Sequence, residues 1–157
     1  FRSRCECGNR GCWEQYASGN ALVREARSLL AAESPMAHDI ADTLGGDLTK
    51  LTGPMITEAA SSGDATAAEL LAEIGTWLGT GLANLASAFD PSAFVIGGGV
   101  SAAGDMLLGP AREAFRKQLP GRGYRPEARI AQAQLGNEAG LVGAADLARS
   151  AVKGNVA

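Results

Sequence analysis

Apolar side chains recur at helical spacing from Trp13 to Ala32, at Trp13, Ala17, Ala21, Leu22, Ala26, Leu29 and Leu30, and Glu33-Ser34-Pro35 ends that run. Residues 36–51 are mixed in character, with Gly45-Gly46 as a turn. Gly53-Pro54 opens a shorter helix that stops near Ser61-Ser62-Gly63, since proline suits a first helical turn and glycine the far end. Asp64 then reads as the N-cap of the longest helix, along which Ala68, Leu71, Ile74, Leu78, Leu82, Leu85 and Phe89 recur at gaps of three and four. A second stripe of small residues, Gly75, Gly79 and Ala83, lets another backbone approach closely, within the subunit in preference to across a dimer. A helical glycine costs about 1 kcal/mol relative to alanine, so packing or function must offset it.

Asp90-Pro91 closes this helix, and Ala93-Phe94-Val95-Ile96 reads as a buried strand running into Gly97, Gly98 and Gly99. Gly104-Asp105 starts a helix from Met106 to Gln118, stopped by Pro120-Gly121. A second strand, Ala128-Arg129-Ile130-Ala131, precedes Gly136-Asn137-Glu138 and a final helix from Ala139 to about Ala148. The order helix, strand, helix, strand, helix predicts an α/β architecture rich in helix.

Composition agrees with that order. The 157 residues include 30 Ala, 21 Gly and 17 Leu but only 11 Val plus Ile, which argues against an all-β sandwich or barrel. The length has room for one domain with a real core. Fourteen basic and seventeen acidic side chains give a net charge of -3, and the longest basic run is Arg116-Lys117, so nothing marks a nucleic-acid-binding domain. No stretch approaches the ~20 apolar residues of a membrane span, and the N-terminus lacks the apolar run of a signal peptide, which points to a soluble, cytoplasmic protein. A chain that begins at Phe1 and reaches a cysteine cluster four residues later does not look like a natural translation start; the expectation is a fragment of a longer protein.

The three cysteines share one window, Cys5-Glu6-Cys7-Gly8-Asn9-Arg10-Gly11-Cys12. An odd, clustered set is a poor disulfide framework, whereas thiolates on a turning backbone can converge on one ion. Gly8 and Gly11 supply the turning. Structural Zn²⁺ takes four tetrahedral ligands, so Cys5, Cys7 and Cys12 offer three quarters of a site. The alternative is a reduced cluster of small buried side chains. His38, the single histidine, is a weak candidate for the fourth ligand, and an exposed loop or helix-start position suits it better.

A strand running into Gly97-Gly98-Gly99 and then a helix exposes backbone N–H groups at the carboxyl end of a sheet, where open α/β folds bind ligands. A phosphate or adenosine can approach there; a tight ligand-free turn is the alternative. Counted from Gly97 the G-x-G-x-x-G fingerprint fails, because Ala102 stands at its last position, and no Walker lysine follows.

Taken together, Cys-x-Cys-Gly-x-x-Gly-Cys-Trp-Glu-Gln-Tyr-Ala-Ser-Gly at 5–19, Asp90-Pro91 with Val95-Ile96-Gly97-Gly98-Gly99-Val100, and Leu135-Gly136-Asn137-Glu138-Ala139-Gly140-Leu141-Val142-Gly143-Ala144-Ala145 resemble the ROK family of sugar kinases and repressors. The resemblance covers nearly the whole chain and is strongest towards the ATP-dependent glucokinases of that family. It implies an actin-like, ribonuclease-H-like ATPase fold of two α/β lobes, with this chain as most of the C-terminal half. Residues 1–14 would form a zinc loop, 15–135 the large lobe with a nucleotide turn at 97–100, and 136–150 a terminal helix packing towards the N-terminal lobe. The family's histidine zinc ligand, phosphate loop and catalytic aspartate lie upstream of the matching cysteines, so no catalytic residue is expected in this chain.

Carried onto this sequence, the resemblance makes Cys5, Cys7 and Cys12 ligands of a structural Zn²⁺ and Glu14 a carboxylate that accepts hydrogen bonds from sugar hydroxyls. Gly97, Gly98, Gly99 and Val100 become the segment against adenosine. Read as a residue alone, Glu14 is equally an ordinary acid in a first helical turn. The implied reaction is phosphoryl transfer from Mg²⁺·ATP to the 6-hydroxyl of glucose by an intact homo-oligomer, dimer or tetramer, with residues 1–157 alone inactive. The alternative is a repressor of the same family that binds a sugar effector and carries an upstream helix-turn-helix; the run Trp13-Glu14-Gln15-Tyr16-Ala17-Ser18-Gly19 favours the kinase.

Overall fold

In the computed structural model, which describes residues 3–32 and 47–154, the chain forms α1 (Gly19–Ala31), α2 (Gly53–Ser61), α3 (Ala65–Phe89), β1 (Ala93–Ile96), α4 (Asp105–Gln118), β2 (Arg129–Gln132) and α5 (Ala139–Gly154). Short 3-10 turns occupy Trp13–Gln15, Leu48–Lys50, Gly99–Ala103 and Gly136–Glu138. His38 and the Gly45-Gly46 turn lie outside the described residues.

The run from Trp13 to Ala32 is not one helix. Ser18 interrupts it as an N-cap, extended at φ -133 and ψ 165, its hydroxyl accepting the Ala21 N–H at 3.1 Å, and α1 starts only at Gly19. Local side-chain capping defeats a continuous apolar periodicity here. Asp64 caps α3 as expected, its carboxylate accepting the Ala67 N–H at 2.7 Å. At the other end Asp90 adopts the left-handed conformation, φ 45, and Arg125 pairs with its carboxylate while donating to the Ala86 carbonyl at 3.3 Å.

The core lies between α3 and α4. Leu71, Ile74 and Leu82 of α3 are buried with Leu107, Leu108, Ala111 and Phe115 of α4, and Leu22 of α1 and Ile56 of α2 close the sides. The small-residue stripe packs inside the subunit, as expected. A Cβ on Gly75 would stand 2.4 Å from the Leu107 carbonyl oxygen, and one on Gly79 would stand 2.1 Å from that of Ala111. Gly79→Ala is therefore expected to lower stability by about 1–3 kcal/mol, read from denaturant midpoints of the intact protein, even though alanine is the better helix former. A neutral or stabilising result would mean that these helices do not meet backbone to backbone.

β1 and β2 pair in parallel, with Phe94 opposite Ile130 and Ile96 opposite Gln132, and α4 makes the crossover between them. The second strand lies one residue later than expected, and the last helix runs on to Gly154. Phe94 meets Phe115 of α4 edge-on, with ring centroids 6.1 Å apart. The expectation of a buried β1 is wrong on its other face, where Val95 is 67% exposed. Alternate strand residues point to opposite sides, and among the described residues helix packing covers only the side that carries Phe94. Leu141 and Leu147 of α5 are likewise exposed. No helix among the described residues is long and apolar enough to cross a membrane.

Candidate functional site

Gly8 at φ 88 and Gly11 at φ 76 turn the cysteine loop back on itself. The Cys5 N–H donates to the Asn9 carbonyl at 2.9 Å, the Gly8 N–H to that of Cys5 at 3.0 Å, and the Gly11 N–H to that of Ser3 at 3.0 Å. These bonds bring the three sulfur atoms within 4.8 Å of one another, with Cys7 and Cys12 Sγ 3.5 Å apart. Tetrahedral coordination at a Zn–S distance of about 2.3 Å sets sulfurs about 3.8 Å apart, so the trio fits three corners of such a site after small adjustments. All three are free thiols. The Asn9 backbone hydrogen bond and then the neighbouring thiols pull the Cys7 pKa down to about 7. The same shared proton drives Cys12 up to about 11, its bond with Cys7 being the largest cause. Without metal, the thiolate is thus favoured at the exposed Cys7 and the thiol at Cys12.

Directly after Cys12 comes the 3-10 turn Trp13–Gln15, held by the Gln15 N–H donating to the Cys12 carbonyl at 2.9 Å. The Trp13 indole N–H donates to the Trp77 carbonyl of α3 at 2.9 Å. Tyr16 stacks obliquely on the Trp77 ring, centroids 4.9 Å apart, and its hydroxyl accepts the Ser3 N–H at 3.2 Å. Trp13, Tyr16, Trp77, Gly81 and Asn84 border a groove of about 700 Å³, and Glu14 is not part of its lining. Glu14 is exposed and has no hydrogen-bond or ion-pair partner among the described residues.

At the other candidate segment, Gly98 sits at φ 90 and ψ 168, a region that only glycine enters without strain. Buried Ser101 closes the turn, its hydroxyl donating to the Gly98 carbonyl at 2.7 Å and its N–H to the same oxygen at 3.0 Å. Gly97, Gly98 and Gly99 are exposed, and a Cβ on Gly98 or Gly99 would meet nothing within 4 Å, leaving the backbone open to a flat ligand. Val100 packs against the start of α1, its Cβ 3.9 Å from the Cβ position of Gly19. The cysteines thus converge, while the glycine turn forms a separate surface joined to the cysteine segment through Gly19. Sequence reasoning missed Gly81, Arg24 and Ser101. Gly81 left a signal, a helical glycine off the Gly75-Gly79-Ala83 stripe; Arg24 and Ser101 left none.

Residues 1–151 match the ROK family. Over 145 residues the chain is 49% identical to a glucokinase of Streptomyces coelicolor, covering 92% of this chain and 46% of that protein. The crystal structure of a ROK family glucokinase from Streptomyces griseus in complex with glucose and AMPPNP shares 50% identity and a TM-score of 0.86, over 94% of this chain and 47% of that one. The DNA-binding transcriptional repressor Mlc of Escherichia coli is 30% identical over 92% of this chain and 34% of its own. The chain spans about half the length of the glucokinases it matches. With the cysteine loop, the glycine turn and most of α5 all inside the matched span, the chain belongs to the ROK family and has its sugar kinase fold, a helix-rich actin-like ATPase architecture.

Proposed function

We propose that the intact protein is a glucokinase, transferring the γ-phosphoryl group of Mg²⁺·ATP to the 6-hydroxyl of glucose. The observation that carries this reading is an exposed Glu14, without a partner among the described residues, on a 3-10 turn beside the cysteine trio, in a chain half identical to glucokinases and less similar to a repressor. Glu14 accepts hydrogen bonds from sugar hydroxyls, each charge-assisted bond contributing about 1.5–3 kcal/mol. The open backbone of Gly97, Gly98 and Gly99, with Val100 beside it, lies against adenosine. The general base and phosphate-binding groups come from the rest of the protein, which packs over α5 and the exposed side of β1, where Val95, Leu141 and Leu147 await cover. Lobe closure would then exclude water from the transfer.

Cys5, Cys7 and Cys12 would hold a structural Zn²⁺ with one further ligand from elsewhere in the protein. When bound, the ion supplies a cross-link that stiffens the loop and activates no water. The segment of α3 from Ile74 to Phe89 carries no charged side chain and leaves Phe89 exposed at its end, which supports assembly as a homo-oligomer. With ATP as donor, the reaction would belong in the cytoplasm.

A coupled assay on the intact protein tests the reading. Glucose-6-phosphate formation with ATP is expected, and residues 1–157 alone are expected to show none. Absence of turnover by the intact protein together with sugar-sensitive binding to operator DNA would replace the kinase by the repressor.

A further inference from the structure

We propose that Arg24 and Gly81 are positioning residues for sugar binding, pinning from two sides the turn that carries Glu14 while leaving its carboxylate uncommitted. The proposal rests on Glu14 being the sugar-binding carboxylate. A carboxylate on an irregular turn is free to swing, and a ligand that must first order it binds less tightly. Here the order is imposed on the residues to either side.

On one side stands Trp13. Its indole N–H bonds the Trp77 carbonyl, and its ring fills the place that a side chain at position 81 would take. A Cβ on Gly81 would fall 2.1 Å from Trp13 Cε2, 2.3 Å from Cζ2 and 2.5 Å from Nε1. Only glycine admits the ring. This also gives a reason for a third helical glycine that contributes nothing to the contact between α3 and α4.

On the other side stands Gln15. Arg24 Nη1 donates to the Gln15 side-chain oxygen at 2.9 Å, and Nη2 donates to the Gln15 backbone carbonyl at 2.6 Å. Glu25 holds the guanidinium in turn, accepting from Nε at 3.1 Å and from Nη2 at 2.7 Å. The planar fork matters, because its fixed spread of N–H donors holds a side-chain amide and a backbone carbonyl in one geometry, which a flexible ammonium with rotatable donors fixes less well. The residues on either side of Glu14 are thus fastened to different helices, α3 and α1, which pack on each other. Neither anchor touches the Glu14 carboxylate, so their effect is on where it sits and not on its charge.

The test uses the intact protein and compares Arg24→Met, Arg24→Lys, Gly81→Ala and Glu14→Gln. Arg24→Met and Gly81→Ala are each expected to raise the glucose KM and the glucose Kd measured by calorimetry about tenfold. Both should leave the KM for ATP and the metal content unchanged and kcat within about twofold, and Arg24→Lys should recover only part of the loss. A merely structural role would instead lower kcat and thermal stability without singling out glucose. If Glu14→Gln weakens glucose binding while Arg24→Met and Gly81→Ala do not, the positioning proposal is overturned and the sugar reading survives. If Glu14→Gln has no effect, both fall. Should Arg24→Met fail to fold, Gln15→Leu removes the side-chain half of the same clamp and carries the test with the same expected split.

Discussion

Glu14→Gln in the intact protein is expected to lower kcat/KM for glucose by about a hundredfold, with the KM for ATP unchanged. The magnitude follows from the bonds at stake. One or two charge-assisted acceptor interactions of about 1.5–3 kcal/mol each become neutral ones, and each 1.4 kcal/mol is a factor of ten. Glutamine keeps the shape, so packing is not the cause. Stability should not move, because the carboxylate is exposed and makes no hydrogen bond or ion pair among the described residues. Steady-state kinetics with glucose varied at saturating ATP, set beside a thermal melt, separates the two effects. Unchanged kcat/KM would return Glu14 to the role of an ordinary acid at the start of a turn.

Cys12→Ser, or exhaustive chelation, is expected to remove one equivalent of zinc and with it more than about nine-tenths of the activity. Native mass spectrometry counts the ion and the coupled assay reads the loss. The core of α3 and α4 should survive, because none of its buried side chains comes from the cysteine loop. What is lost is the tie between Cys5, Cys7 and Cys12, directly before the turn that carries Glu14. Zinc affinity should fall as pH falls, since each thiol must give up its proton to bind. In the metal-free protein at pH 8, Cys7, held near pKa 7, is ionised and exposed, whereas Cys12, raised to about 11, is not. Iodoacetamide should therefore label Cys7 well before Cys12, and added zinc should protect both. Equal labelling, or a folded and fully active protein without metal, would count against the zinc loop.

The outcomes along the chain sort by distance. Asp64 as a cap, the stop at Ser61-Ser62-Gly63, the helix from Gly104-Asp105 to Gln118 and the turning at Gly8 and Gly11 depend on groups within a few residues of one another, and the structure agrees with each. The largest local departure, the reading of Trp13 to Ala32 as a single helix, arose because apolar periodicity outweighed the capping hydroxyl of Ser18. Gly75 and Gly79 announced a close backbone contact but not its partner. That partner, α4, begins more than twenty residues beyond Gly79 in sequence and became visible only once Leu107 and Ala111 lay against them.

By itself the sequence determined the order of elements, the clustering of the three thiols and the family resemblance, all carried by short-range spacing and by motifs whose members lie close together. Tertiary structure alone decided that Trp13 rests on Gly81, that Arg24 grips Gln15, and that one side of β1 stays open. The indole of Trp13 meets a carbonyl 64 positions away, and no periodicity or propensity encodes a contact at that separation; it exists because α1 and α3 pack together and bring the turn between them. Cysteine spacing suggests that an ion can bind, but the placing of Glu14 depends on how those helices meet.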